Sequence, residues 1–223
     1  MAVLRTGAGE KGFFRMRKLF GGLKMGWLAV ILFAVVAGAY TGIVGSIPAA
    51  EGTSFKDIAI SYEWWVIFAV VIASNCTKSW ESALKIFVFF LISQPLCFIV
   101  EVVFGLSVDQ ALYYYCSIWD PATLLTLPGG FIAYYINRQN VFGSVILGLG
   151  NSIQAFLGIT YIIQMLGNPP YHLLSAIVCF ASILIMTFQI QKDNGNRVIS
   201  LLVPVVVAVA ALVLIRMTGR VIV

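Results

Sequence analysis

The chemistry open to this chain is set by the few polar side chains that stand inside its apolar runs. Glu101 is flanked by Val100, Val102 and Val103, and Glu63 lies beside Trp64 and Trp65. A carboxylate surrounded by lipid is costly, so such a group is paired, protonated or turned to a cavity. Glu101 and Glu63 are therefore the candidates for a coupling ion, a proton or a cation shared between neighbouring helices at comparable depth. Uncharged groups form a second set. Ser93, Gln94, Thr126, Asn151 and Gln154 fall near the middle of their apolar runs, with Ser152 beside them. Amides and hydroxyls at the midplane suit a neutral or zwitterionic solute better than a strongly anionic one.

Helix breakers lie next to these groups. Pro95 follows Ser93-Gln94, and Pro128-Gly129-Gly130 interrupts TLLTLPGGFIAYY. Proline removes a backbone hydrogen bond and crowds the carbonyl four residues earlier. Glycine lowers the cost of unwinding. Breaks are expected at Pro95 and at Pro128, Gly129 and Gly130. Carbonyls freed there need protein or enclosed water as partners, because lipid offers none. Broken helices around a midplane polar site are the construction used by secondary transporters.

The elements that must position these residues are read from hydropathy. Of 223 residues, 61% are hydrophobic and 10% charged. A water-soluble domain of this size carries about a quarter charged residues, so lipid is the expected solvent. A crossing helix needs about 20 mostly apolar residues. Seven runs qualify, at 26–47, 58–75, 82–104, 118–136, 141–166, 171–190 and 198–216. The expectation is an all-α polytopic bundle of about seven spans. Residues 1–25 form a basic amphipathic tail, and 26–223 form one transmembrane domain. Asp120 and Pro121 look like the start of the fourth helix.

Lys and Arg set the orientation. The tail holds Arg5, Lys11, Arg15, Arg17, Lys18 and Lys24; Lys78, Lys85, Arg138, Lys192 and Arg197 fall on the same side of seven spans. Only Lys56, Arg216 and Arg220 fall opposite. This bias puts the N-terminus in the cytoplasm. It also explains the net charge of +5 without a nucleic-acid partner. Lys85 lies about 24 Å along the helix from Glu101, so it is expected to snorkel to the cytoplasmic side rather than to pair with it. On a helix, Phe13, Met16, Leu19, Phe20 and Leu23 share one side, which suits an anionic leaflet. Gly21-Gly22 would join that segment to the first span.

Catalytic signatures are missing from the sequence. It has no H-E-x-x-H, no G-x-S-x-G and no Walker loop. One histidine and four cysteines without C-x-x-C spacing give no metal site, and no cofactor is expected. His172 reads as a hydrogen-bonded helix-end residue. The expected function is a small permease or channel, not an enzyme, with a cavity uniting Gln94, Asn151 and Gln154. It would sit in the cell membrane, multi-pass, most simply a bacterial plasma membrane. The alternative is a non-catalytic subunit that docks on a membrane partner. Its docking faces would be Gly38-x-x-x-Gly42 and the stripe Ser144, Gly148, Asn151, Ala155 and Gly158.

Overall fold

A computed structural model describes residues 19–60, 62–167 and 171–218. Most of the 1–25 tail, and Arg220, lie outside the described residues. Every regular element among those described is helical. In chain order they are α1 (Trp27–Gly45), α2 (Ser54–Ile60), α3 (Tyr62–Ser74), α4 (Ser79–Val103), α5 (Val108–Tyr114), α6 (Asp120–Ala133), α7 (Val141–Gly167), α8 (Leu173–Ile190) and α9 (Asn194–Thr218). A π-helical turn, Tyr115–Trp119, joins α5 to α6, and a 3₁₀ turn, Tyr134–Asn137, ends α6.

Five helices are long and apolar enough to cross a membrane: α1, α4, α7, α8 and α9. Their bounds lie within a few residues of the runs read from hydropathy. The 58–75 run divides between α2 and the 13-residue α3. The 118–136 run is a 14-residue α6 with irregular turns at both ends. Large apolar side chains face outward along the long helices, among them Leu28, Leu32, Ile99, Phe156, Ile163 and Val206. A surface of that kind is stable against lipid rather than water.

The core is aromatic. Phe33, Trp65, Phe68, Phe89 and Phe90 pack edge-to-face or tilted between α1, α3 and α4. Around it α1 packs on α4, α4 on α6, and α7 on α8 and α9.

The expected helix breaks at Pro95 and Pro128 do not form. α4 runs unbroken from Ser79 to Val103 with Pro95 inside it, and α6 runs unbroken through Pro128, Gly129 and Gly130. The reason is tertiary. α1 comes so close that a Cβ on Gly38 would lie 2.4 Å from the Ser93 carbonyl oxygen, and one on Gly42 would lie 2.6 Å from that of Cys97. These two contacts bracket Pro95 and keep the helix continuous despite one lost hydrogen bond. In α6, Gly130 serves close approach rather than unwinding. Its Cβ position lies 3.0 Å from the Ala83 Cα, and Ser82 Oγ donates to the Gly130 carbonyl at 2.8 Å.

Irregularity appears instead at Tyr115–Trp119. Pro121 has no amide to donate, and its ring crowds the Ser117 carbonyl, so the helix widens there. Asp120 consequently makes no cap, and the first residue of α6 simply continues the turn before it.

One end of the bundle is tied together by side-chain bonds between its loops. Asn75 accepts from the amides of Gly21 and Leu23 and donates to the Leu19 carbonyl. Gly21 takes φ +91 there, a conformation glycine tolerates. Asn137 donates to Ala73 O, Gln139 to Ile190 O, and Gln191 to Ile136 O. Lys78, Arg138, Lys192 and Arg197 all belong to this basic end. Lys85 points toward it but does not snorkel to water. It is 4% exposed, lies 2.5 Å from Glu81 Oε1 and also donates to the Met25 carbonyl. A buried ammonium is held by such partners where a free one is not.

Candidate functional site

The five uncharged candidates do not meet in one cavity. Asn151 and Gln154 stand on the face of α7 that packs inward, both fully buried. Asn151 Nδ2 donates to Thr187 Oγ1 of α8 at 3.0 Å and to the Ser200 carbonyl of α9 at 3.3 Å. Gln154 Nε2 donates to the Glu63 carbonyl at 2.7 Å. Ser152 bonds within its own helix, to Gly148 O at 2.9 Å. Ser93 is buried where α4 meets Gly38 of α1. These are helix-joining contacts, and the cavity that Gln94 lines does not have Asn151 or Gln154 in its walls. The separation follows from α7 packing against α8 and α9, whereas Gln94 faces α1, α3 and α5. Asn151→Leu is therefore expected to cost about 1 kcal/mol, the scale of an interhelical hydrogen bond in a membrane protein. Denaturant unfolding in micelles measures it; an unchanged midpoint would show that the bonds to Thr187 and Ser200 contribute nothing.

Glu63 is fully buried, and the Tyr161 hydroxyl lies 3.2 and 3.3 Å from its two carboxylate oxygens. Tyr161 stacks on His172, with ring centroids 5.8 Å apart. His172 Nδ1 is 2.5 Å from Asp57 Oδ2, which also accepts from Ser175 Oγ at 2.8 Å. This cluster ties α2 and α3 to α7 and α8 at the end opposite the basic one. The cavities that Glu101 borders do not include Glu63 among their lining residues.

Glu101 lies elsewhere, at the border of two cavities. A cavity of about 410 Å³ opens at the end opposite the basic one, between Gly45, Ser46, Lys56, Glu101 and Phe104. A second, of about 200 Å³, is lined by Thr41, Trp65, Gln94, Cys97, Phe98, Glu101, Tyr114 and Trp119. A third, of about 270 Å³, continues between α3, α4 and α6 past Ile86, Phe90, Thr126, Gly129 and Gly130 to Ala133. Glu101 borders both the first and the second; Trp65 and Trp119 border both the second and the third. On α4 the lining residues are Ile86, Phe90, Gln94, Cys97, Phe98 and Glu101, and Phe104 follows directly after the helix. Apart from Phe98, steps of three and four keep them on one helix face. From Ile86 to Phe104 that face spans about 27 Å, against a hydrocarbon core of about 30 Å.

The walls change along the way. The outer cavity carries Lys56, ion-paired to Glu51, and the Glu101 carboxylate. The middle one adds an amide, a thiol and four aromatic rings. The inner one is almost wholly apolar. Of the sequence candidates, Gln94, Glu101, Thr126, Gly129 and Gly130 line these cavities, and Ser93, Asn151, Gln154, Glu63, Pro95 and Pro128 do not. Trp65, Trp119, Tyr114, Thr41 and Cys97 also line them and are not among the sequence candidates.

The two faces suggested for docking on a partner are occupied within the chain. Gly38 and Gly42 meet α4, Gly148 meets Val203 of α9, and Gly158 meets Phe180 and Cys179 of α8. No family model matches the chain, and neither a curated protein nor a solved structure matches it.

Proposed function

We propose that the chain is a small permease of the cell membrane, with the three cavities along α4 as its solute path. One observation carries this reading. The cavities share lining residues in sequence, Glu101 and then Trp65 with Trp119, over about 27 Å of one helix face. Seven crossings complete the picture. α2 with α3 forms the second, and α5, the π turn and α6 form the fourth. The basic end, with the N-terminus, faces the cytoplasm by the positive-inside rule. A solute then enters from outside beside Lys56 and Glu101 and meets Gln94 before the apolar inner section. Transport suits this arrangement better than docking on a partner subunit, because the small-residue faces already serve internal packing.

The test is the reach of a membrane-impermeant thiol reagent. Gln94→Cys, built into a chain whose four native cysteines are replaced by alanine, is reconstituted in proteoliposomes. It is treated from outside with a methanethiosulfonate bearing a trimethylammonium group. Ile99→Cys, on the exposed face of the same helix, serves as the lipid-facing control. Gln94→Cys is expected to react at least tenfold faster, although its side chain is the more buried. Equal rates would mean that no path reaches Gln94.

A further inference from the structure

We propose that the middle and inner cavities bind an amphiphilic amine: ammonium on Glu101, a neighbouring oxygen on Gln94, and an apolar tail along Phe90 and Gly129. The inference rests on reading these cavities as the solute site, and it names the class of solute. Three observations select that class.

The first is charge. The Glu101 carboxylate borders two cavities, and the one side-chain hydrogen bond it receives among the described residues is a long one from the Cys97 thiol, 3.8 Å. Lys56, the cation nearest along the path, is engaged with Glu51. A carboxylate in such surroundings is stabilised by a cation. Trp65, Phe98, Tyr114 and Trp119 line the same space, and aromatic rings attract ammonium groups through their quadrupoles. The second is a buried donor. Gln94 is 2% exposed, lines the middle cavity, and its Nε2 has no hydrogen-bond partner. A buried N–H left unmet is destabilising, and an oxygen close to the ammonium would accept from it. The third is continuity with an apolar space. Beyond Trp119 the walls are mostly apolar, with Ile86, Phe90, Ala122 and Ala133; the Thr126 hydroxyl already donates to the Thr123 carbonyl, and the Thr123 hydroxyl is a buried polar group there without a partner. A small hydrophilic amine would leave that space unfilled. A bare hydrocarbon would leave Glu101 with only Lys56 nearby, a cation already paired to Glu51. An amphiphile with both parts satisfies both ends.

The probe is 2-(decylamino)ethanol, added to the full chain in maltoside micelles, with tryptophan emission as the readout because Trp65 and Trp119 stand at the junction of the two cavities. Saturable binding is expected. Decanol, which lacks the charge, and ethanolamine, which lacks the tail, should each bind at least tenfold more weakly. Glu101→Gln should weaken the probe at least tenfold at an unchanged unfolding temperature. Gly129→Leu supplies an independent arm, because Gly129 lines the inner cavity and a Cβ there meets nothing within 4 Å, so a leucine is accommodated and takes up space beside the tail. It should cut affinity for the decyl probe at least tenfold. Partition into micelles is common to all variants and drops out of the comparison. Equal affinity for decanol and the amine overturns the proposal, as does retained affinity in both Glu101→Gln and Gly129→Leu. If Gln94→Cys labels rapidly but the amine does not bind, the ligand class falls and the path stands. If the amine binds with the expected pattern but labelling fails, the path falls and the binding site stands.

Discussion

Gly38→Ala, the addition of one methyl group, is expected to destabilise the protein by about 3 kcal/mol, the upper part of the range for overpacking. The new Cβ would lie 2.4 Å from the Ser93 carbonyl oxygen and 2.9 Å from the Ser93 Cα. Both are backbone atoms, so no side-chain rotation relieves the clash. α1 must move away from α4 along its length, and the Gly42 contact with Cys97 opens with it. Close backbone approach of this kind drives helix association where lipid removes the hydrophobic advantage of burial. Gly150→Ala is the matched control. Its Cβ meets nothing within 4 Å, so the helix propensity of alanine should make it neutral or more stable by up to about 1 kcal/mol. Unfolding midpoints in micelles compare the two. A parental midpoint for Gly38→Ala would show that α1 and α4 are not in such close contact.

Asp57→Ala should have the next largest effect, a loss of about 2 kcal/mol with loosening confined to one end of the bundle. Asp57 Oδ2 receives Ser175 Oγ at 2.8 Å and stands 2.5 Å from His172 Nδ1. Next to it, Ser54 donates to the Tyr171 carbonyl from both its amide and its hydroxyl, at 2.7 Å each, and accepts from the Ser175 amide at 3.2 Å. Removing the carboxylate deprives His172 and Ser175 of their acceptor in a partly buried setting. Each orphaned group costs about 1 kcal/mol or more. Side-chain exposures of 16% for both Asp57 and His172 keep the cost below that of a fully buried pair. Hydrogen exchange should accelerate at 54–57 and 171–176 and remain slow around Asn75 and Gln191, at the other end. Uniform acceleration would mean that the cluster supports the whole fold; no acceleration would mean that it supports nothing.

Local composition was sufficient for the five helices long and apolar enough to cross a membrane. Continuous apolar runs of about 20 residues leave a chain little choice in lipid, since each backbone amide must bond within its own segment. α1, α4, α7, α8 and α9 therefore lie where hydropathy alone put them. His172 as a hydrogen-bonded helix-end residue was likewise legible, because a lone imidazole after Pro169-Pro170 has few other roles. Lys and Arg spacing also held the basic loops at one end, where Asn75, Asn137 and Gln191 now join them.

What depended on tertiary structure was the meaning of the breakers and of the midplane amides. Pro95 and Pro128 promised breaks, but a helix stays continuous across one missing bond when a neighbour clamps it, and Gly38 and Gly42 belong to a different helix. The irregular turn arose at Tyr115–Trp119, where no glycine marks it. Gln94, Asn151 and Gln154 each fall toward the middle of an apolar run, which sequence position conveys. They do not share a direction, which depends on the rotation of each helix about its axis. That rotation is decided by the sum of contacts on all sides, Gly148 against Val203 and Gly130 against Ala83 among them. So the chain's hydropathy determined that it belongs in a membrane as a bundle of helices. Packing alone decided that Glu101 and Gln94 border one cavity while Asn151, Gln154 and Glu63 hold the opposite side of the bundle together.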